Sequence, residues 1–205
     1  MIRIGLLGAS RVGRGAIIAA AAGNAAVEVC AVAARSELRA REYADAHGLA
    51  RVEPTYQALV DAADIDVVYN GLPPSEHKPW TLAALAAGKH VLCEKPFAMT
   101  AAEADAMVTA ARTAGKTLLE AFHYRFHPLF LRLLELLEAD AIGTVQRVDC
   151  RFNVPVPYAP AELRFDRRLG GGAMMDLGCY PVHWARTVVG TQPQVLRATA
   201  DWHTS

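Results

Sequence analysis

One nine-residue stretch limits what this chain can become. Gly88-Lys89-His90-Val91-Leu92-Cys93-Glu94-Lys95-Pro96 starts on a glycine that can end a helix, continues as a short apolar run, and closes on two charges before a proline. An apolar run of that length, His90 to Cys93, reads as a strand buried on both faces, the kind found in parallel sheets covered by helices. In an open α/β sheet, ligands lie beyond the carboxyl ends of the strands, and that end here carries Glu94 and Lys95. Pro96 fixes its own φ and restricts the residue before it, so the backbone holds Lys95 in place. A lysine so placed can donate hydrogen bonds, carry positive charge, or titrate if desolvated. Taken alone, the tripeptide reads first as a solvated loop, and the flanking sequence has to decide.

The flanks repeat one pattern. Ile2 to Leu7 is a strand, Gly8-Ala9-Ser10-Arg11-Val12-Gly13 a turn, and Arg14 to Ala22 an alanine-rich helix. That order forms the phosphate-binding start of a dinucleotide fold. Gly8 allows the tight turn, Gly13 lets helix and strand approach, and the helix amino terminus offers N–H groups to a pyrophosphate. The middle glycine of G-x-G-x-x-G is replaced by Ser10, so the loop alone is a weak signal. Val27 to Ala33 is the second strand. Its end lacks the acid that would bind a ribose 2′-hydroxyl and carries Arg35 instead, with Arg39 and Arg41 following, which suits a 2′-phosphate and favours NADP over NAD.

Helices are expected over Ser36 to His47 and Pro54 to Ala63, then a strand over Ile65 to Asn70. Ser75 is expected to cap a helix running through Ala87, with Gly88 closing it. Thr100 and Glu103 form a capping box for a helix to Ala114, and Thr117 to Ala121 is a further strand. Alternation throughout predicts a doubly wound parallel sheet, a Rossmann domain over residues 1–123. After Phe122 to Pro128 the character changes. A helix over Leu129 to Leu137 and strands over Val145 to Val154 and Val195 to Trp202 are expected in residues 124–205.

Composition narrows the function classes. Lys plus Arg and Asp plus Glu both number 21, so the formal charge is zero, which gives no electrostatic reason to expect nucleic acid or an acidic membrane as a partner. No apolar run approaches the roughly 20 residues needed to span a bilayer. The amino terminus lacks a signal peptide's cleavage pattern, and a cytoplasmic location is expected. Cys30, Cys93, Cys150 and Cys179 are widely spaced with no Cys-x-x-Cys, so structural thiols are expected, with no disulfide framework and no metal site.

A second group of chemistry-bearing residues comes after Gly170-Gly171-Gly172, whose missing side chains would let backbone approach a ligand. Asp176 and Tyr180 are four apart and share a helix face, with His183 adding a third polar group, a candidate substrate contact. Carboxylate, phenol and imidazole on one face suit proton transfer to and from a hydroxyl. A free phenol, with a pKa of about 10, is a poor acid–base at neutral pH, and a nearby lysine cation would lower that value. Each residue also has a structural reading: Asp176 as a cap, Tyr180 as a core ring, His183 as a satisfied buried imidazole. Pro181 is awkward inside a helix.

Together these pieces resemble the Gfo/Idh/MocA family of oxidoreductases, over residue 2 to the end of the chain. The marks are the Gly8 to Gly13 loop, Ala34-Arg35, Gly88 to Pro96, Tyr124-Arg125-Phe126-His127-Pro128, and Gly170 to Gly172 leading to Asp176-Leu177-Gly178-Cys179-Tyr180. The resemblance implies a nicotinamide-dependent oxidoreductase, with NADP expected and NAD possible, acting on a sugar, polyol or related carbonyl. It places the catalytic lysine on Lys95, with a frequently cis peptide before Pro96, the family's aspartate on Asp176, and its acid–base residue on Tyr180. A tyrosine there is similar to the branch of dimeric dihydrodiol dehydrogenase, NADP-dependent xylose dehydrogenase and glucose–fructose oxidoreductase. Cofactor contacts are implied for Gly8, Ala9, Ser10, Arg11, Val12, Arg35, Leu72, Pro73, His77, Glu94, Lys95 and Arg125. The resemblance also implies that residues 124–205 form an incomplete α+β domain with a mostly antiparallel sheet. Two departures stand out. Leu72-Pro73-Pro74 replaces the family's Thr-Pro-Asn, and family chains are longer, with a second domain that commonly builds a homo-oligomer. The alternative reading is a truncated dinucleotide-binding protein without catalysis.

Overall fold

The computed structural model describes residues 1–159 and 162–201. Six strands form one parallel sheet in the order β3-β2-β1-β4-β5-β6. They are β1 (Ile2–Leu7), β2 (Val27–Ala33), β3 (Arg51–Val52), β4 (Val67–Asn70), β5 (His90–Cys93) and β6 (Leu118–Glu120). The strand order reverses its direction of winding between β1 and β4, which pair in parallel from Ile4 with Val67 to Leu7 with Asn70. Ligand crevices of open sheets form at such a switch point.

Alternation sets the two cores. Leu6 and Leu7 point to opposite faces, as successive strand residues must. On one face Leu7, Val68 and Val91 pack with Leu59, Leu85 and Met107 from α4 (Tyr56–Asp61), α5 (Pro74–Ala86) and α6 (Ala101–Ala114). On the other, Leu6, Val32 and Tyr69 meet Ile17 and Ala44. Ile17 belongs to the helical segment built from α1 (Arg11–Gly13), a π-helical Arg14–Ile18 and α2 (Ala19–Ala21). Ala44 lies on α3 (Glu37–His47), which Ser36 caps and Gly48 closes in a left-handed conformation. Thr100 caps α6 by accepting from Glu103 N, as the capping-box pattern predicts.

Several expected boundaries move. The fourth strand starts at Val67; Ile65 instead packs beneath the sheet, fully buried. Pro74 opens α5, because its fixed φ and missing N–H suit a first helical position, and Ser75 therefore lies inside the helix and caps nothing. The two-residue β3 went unforeseen, since two half-buried residues carry no periodicity. The strand expected over Val145 to Val154 forms no ladder, because no neighbouring segment among the described residues pairs with its backbone. The same holds for residues 195–201, and Trp202 lies outside the described residues. An antiparallel second sheet is thus not formed among the described residues.

Beyond the sheet the regular structure is helical. α7 (Pro128–Glu138) is amphipathic, with Phe130 buried. A π-helical turn over Met174–Gly178 runs directly into α8 (Cys179–Val189). Pro181 has no N–H for the Leu177 carbonyl and its ring crowds that oxygen; the widened turn just ahead accommodates both.

Candidate active site

Three loops meet at the carboxyl edge of the sheet. Backbone bonds fix each to a strand end: Gly8 N donates to Ala33 O at 2.8 Å, Gly71 N to Leu7 O at 3.1 Å, and Glu94 N to Asn70 O at 3.0 Å. In the first loop Gly8 has φ +94°, and a Cβ there would lie 3.1 Å from Leu72 Cδ2. Ser10 does not open the turn. Its hydroxyl accepts from Gly13 N at 3.0 Å as an N-cap, while its carbonyl accepts from Tyr43 Oη at 3.0 Å. Arg11 and Val12 are exposed at the helix start, and Ala9 is buried with its carbonyl accepting from Arg39 Nη2 at 3.2 Å. Arg35 is exposed at the end of β2, beside Arg39. This concave, glycine-lined turn with two guanidinium groups at its far end suits a dinucleotide carrying an extra phosphate.

The third loop, residues 94–97, carries Lys95. Its Lys95-Pro96 peptide is cis, as the resemblance implies. Glu94 is spoken for on both oxygens: Oε1 accepts from Tyr69 Oη at 2.8 Å and Oε2 from Lys95 N at 3.1 Å. Burial and the Glu94 carboxylate push the Tyr69 phenol far above its ordinary range. The Lys95 amine leaves the loop and reaches across to the π-helical turn. There Nζ donates to Asp176 Oδ1 at 2.8 Å and Asp176 O at 2.9 Å, with both side chains about four-fifths buried. One turn on, the Tyr180 ring lies under the same amine, its centroid 5.3 Å from Nζ, within cation–π range. The structure therefore brings Lys95, Asp176 and Tyr180 together from residues 81 and more apart in sequence.

The electrostatics differ from expectation. Lys95 does not lower the Tyr180 phenol. Burial, and then the neighbouring Cys179, Glu94, Asp176 and Tyr124, push it well above its ordinary value, while Asp176 absorbs the ammonium charge. Tyr180 is accordingly a protonated phenol at neutral pH. Rings of Phe122 and Phe152, each 5.2 Å away, and Tyr124 at 5.8 Å supply that apolar setting.

Other expected contacts fall elsewhere. His77 is fully buried and cannot touch a ligand. Its Nε2 lies 2.8 Å from Leu72 O and its Nδ1 3.0 Å from Pro96 O, so it sits between two loops. Leu72 is buried, its carbonyl facing that imidazole, and Pro73 forms the α5 N-cap position. His183 Nδ1 is hydrogen-bonded to Tyr124 Oη, and the ring lies 4.7 Å from the Phe122 ring. Arg125 is exposed beside Tyr124 and His183. Two of the three glycines serve packing: a Cβ on Gly170 would meet Pro74, and one on Gly171 would meet the Leu163 and Arg164 carbonyls, whereas Gly172 faces open space with φ +119°. The sequence alone gives no functional reading of Tyr69, Asn70 or Glu120. Only a polar residue inside an apolar strand, as at Asn70, could have flagged them. Among the described residues no group of three or more His, Cys, Asp or Glu is placed to hold a metal, and no helix is long and apolar enough to cross a membrane.

Residues 2–122 match the family described as "Oxidoreductase family, NAD-binding Rossmann fold" (GFO_IDH_MocA). This chain belongs to the Gfo/Idh/MocA family. Residues 130–205 match that family's C-terminal domain. Among curated Gfo/Idh/MocA proteins, the chain is 40% identical over 197 residues to a D-xylose 1-dehydrogenase (NADP(+)) 2 from Haloferax volcanii, covering 96% of this chain and 60% of the relative. It is 37% identical over 177 residues to a trans-1,2-dihydrobenzene-1,2-diol dehydrogenase from Xenopus laevis, covering 86% and 53%. Among solved structures it superposes on KijD10, a 3-ketoreductase from Actinomadura kijaniata in complex with NADP and TDP-benzene. The TM-score is 0.84 at 33% identity, over 92% of this chain and 57% of that one. The chain thus spans a little over half the length of these relatives.

Proposed function

We propose that this protein is an NADP-dependent oxidoreductase that interconverts a hydroxyl and a carbonyl on a sugar or a related cyclic diol or ketone. The observation that carries the reading is the Lys95 amine held 2.8 Å from the Asp176 carboxylate and over the Tyr180 ring at the carboxyl edge of a parallel sheet. Relatives named for xylose, a dihydrobenzene diol and a 3-ketoreductase support the substrate class. We assign residues 1–123 to the dinucleotide and residues 124–205 to the substrate side.

The residues at the sheet edge fit NADP. The Gly8 turn is a cradle that a Cβ would fill, by its approach to Leu72 and Gly71, and its backbone would carry the pyrophosphate. Arg35 would meet the 2′-phosphate, with Arg39 beside it and braced on Ala9 O. When bound, the nicotinamide supplies or accepts the hydride.

The chain's own part is proton handling and charge placement. In reduction, Tyr180 donates its phenolic proton to the substrate oxygen; in oxidation the substrate hydroxyl gives its proton to Tyr180 in the phenolate form, the minor form at neutral pH. Lys95 presents a fixed positive charge to the oxygen where negative charge develops. Asp176 holds the amine on that line through its carboxylate and its carbonyl. The test is a titration with NADPH, followed by absorbance at the nicotinamide band with NADPH against keto sugars and with NADP+ against aldoses and vicinal cyclic diols. Tight NADPH binding with turnover of at least one class is expected. Binding with no change across every class would refute the catalytic assignment.

A further inference from the structure

The loop that carries Lys95 is held from two sides, by a half-buried carboxylate and a fully buried imidazole. On one side Glu120, at the end of β6, accepts from Phe97 N through Oε1 at 2.9 Å. On the other, the His77 ring places Nδ1 3.0 Å from Pro96 O and 3.3 Å from Phe97 O. The far end of that ring, Nε2, lies 2.8 Å from Leu72 O. Leu72 belongs to the loop that packs against Gly8, where a Cβ would be 3.1 Å from Leu72 Cδ2. His77 is itself fixed: its carbonyl accepts from Asn70 Nδ2 at 3.1 Å, and Asn70 also accepts from Leu72 N at 3.4 Å. His77 and Asn70 are both fully buried.

We propose that Glu120 and His77 are positioning residues for Lys95, with different reach: Glu120 holds only the loop that carries the amine, whereas His77 couples that loop to the dinucleotide turn. The proposal rests on the catalytic role proposed for Lys95. Phe97 N is two residues from Lys95 across the Pro96 ring, so a lost Glu120 contact moves the amine relative to Asp176 and Tyr180. The Gly8 turn has no contact with Glu120 and stays as it is. His77 differs because a change in its ring is felt at Leu72 and at Pro96 together. Burial pushes its imidazole below the ordinary range, so at neutral pH the ring carries one N–H. The ring spans the Leu72 and Pro96 carbonyls, 2.8 and 3.0 Å from its two nitrogens, and so sets the separation of the two loops.

The distinction is testable by separating kcat from NADPH affinity. Glu120→Ala is expected to lower kcat by about 10²-fold while NADPH Kd stays within about threefold, and Glu120→Gln, which keeps an acceptor for Phe97 N, to recover to within about tenfold of the unsubstituted chain. His77→Leu is expected to weaken NADPH binding and lower kcat together. Equal effects of Glu120→Ala on kcat and Kd, or no rescue by Gln, would overturn the assignment, as would a His77→Leu chain with unaltered Kd. Amide hydrogen exchange at Phe97 gives a readout that needs no turnover. Exchange should be slow in the unsubstituted chain and in Glu120→Gln and fast in Glu120→Ala; an unchanged rate in Glu120→Ala overturns the clamp. If the unsubstituted chain shows no turnover, the proposed function fails, and Phe97 exchange alone decides the clamp. If His77→Leu does not fold, the Glu120 pair decides.

Discussion

Tyr180 keeps its proton because of where its helix sets it. Aromatic rings crowd it, two carboxylates lie within electrostatic reach, and the Lys95 cation is already paired with Asp176. Each of these favours the neutral phenol. Its folded pKa is raised, so it stays protonated up to and beyond its ordinary value of about 10. The reductive reaction, which uses that proton, should therefore hold a level kcat between about pH 7 and about pH 9. A falling limb in that window, absent from Tyr180→Phe, would show a phenol that ionises early. Tyr180→Phe itself should lower kcat by about 10²–10⁴-fold, the usual worth of a positioned acid. Lys95, Asp176 and Tyr180 were legible as residues because lysine at a strand tip and acid–phenol spacing on a helix both have a chemical meaning. The direction of the Tyr180 pKa was not legible: it depends on who pairs with Lys95, and Asp176 does so from 81 residues away. His77 misled for a similar reason. An imidazole that bridges two loops and one that faces a ligand look alike in sequence.

Elements were read best where local chemistry sets them. The Thr100 cap stands where its hydroxyl and Glu103 require it, whereas Ser36, expected inside its helix, caps it instead. Gly8 is the sharpest case, since its φ of +94° and its approach to Leu72 both exclude a Cβ. Gly8→Ala should destabilise the chain by about 1–2 kcal/mol, the cost of a left-handed non-glycine residue. It should also weaken NADPH binding by more than any change at an exposed residue of the same turn, such as Val12→Ala. Urea unfolding and an NADPH titration measure both, and a Gly8→Ala chain with normal stability and affinity would show that the turn is not under this constraint. Ser75 was misplaced as a cap because two prolines precede it and Pro74 takes the first helical position. The π-helical turn before Pro181 was not foreseen either: a proline in a helix says that something must give, but not which turn.

At the scale of the molecule, the sheet and the residues after it differ in kind. The doubly wound order and the switch between β1 and β4 arise from strand–helix alternation, which is local and repeated. The second half was read as strands because Val148, Cys150, Phe152 and Val154 alternate, yet alternation specifies only a face, and a ladder also needs a partner. Residues 145–159 and 191–201 form no backbone ladder among the described residues, and Val195 and Leu196 are 79% and 88% exposed. Amide exchange should separate the two regions, slow in β1, β4 and β5 and fast over residues 145–159. Strong protection over residues 145–159 would mean that this segment has a strand partner. NADPH should raise the melting temperature, by an amount that corresponds to about 2.7 kcal/mol at a hundredfold excess over Kd.

The central claim is that an amine from the tip of β5 and a phenol from α8 act on one reacting oxygen as a unit. A double-mutant cycle with Lys95→Met, Tyr180→Phe and the combined chain measures this directly, with NADPH affinity recorded for each. Residues acting as a unit give strongly non-additive losses. The account predicts that each single change removes most turnover, that NADPH Kd stays within about tenfold, and that the combined chain is scarcely slower than the worse single one. Losses that multiply, or a Lys95→Met chain with near-normal turnover, would contradict it.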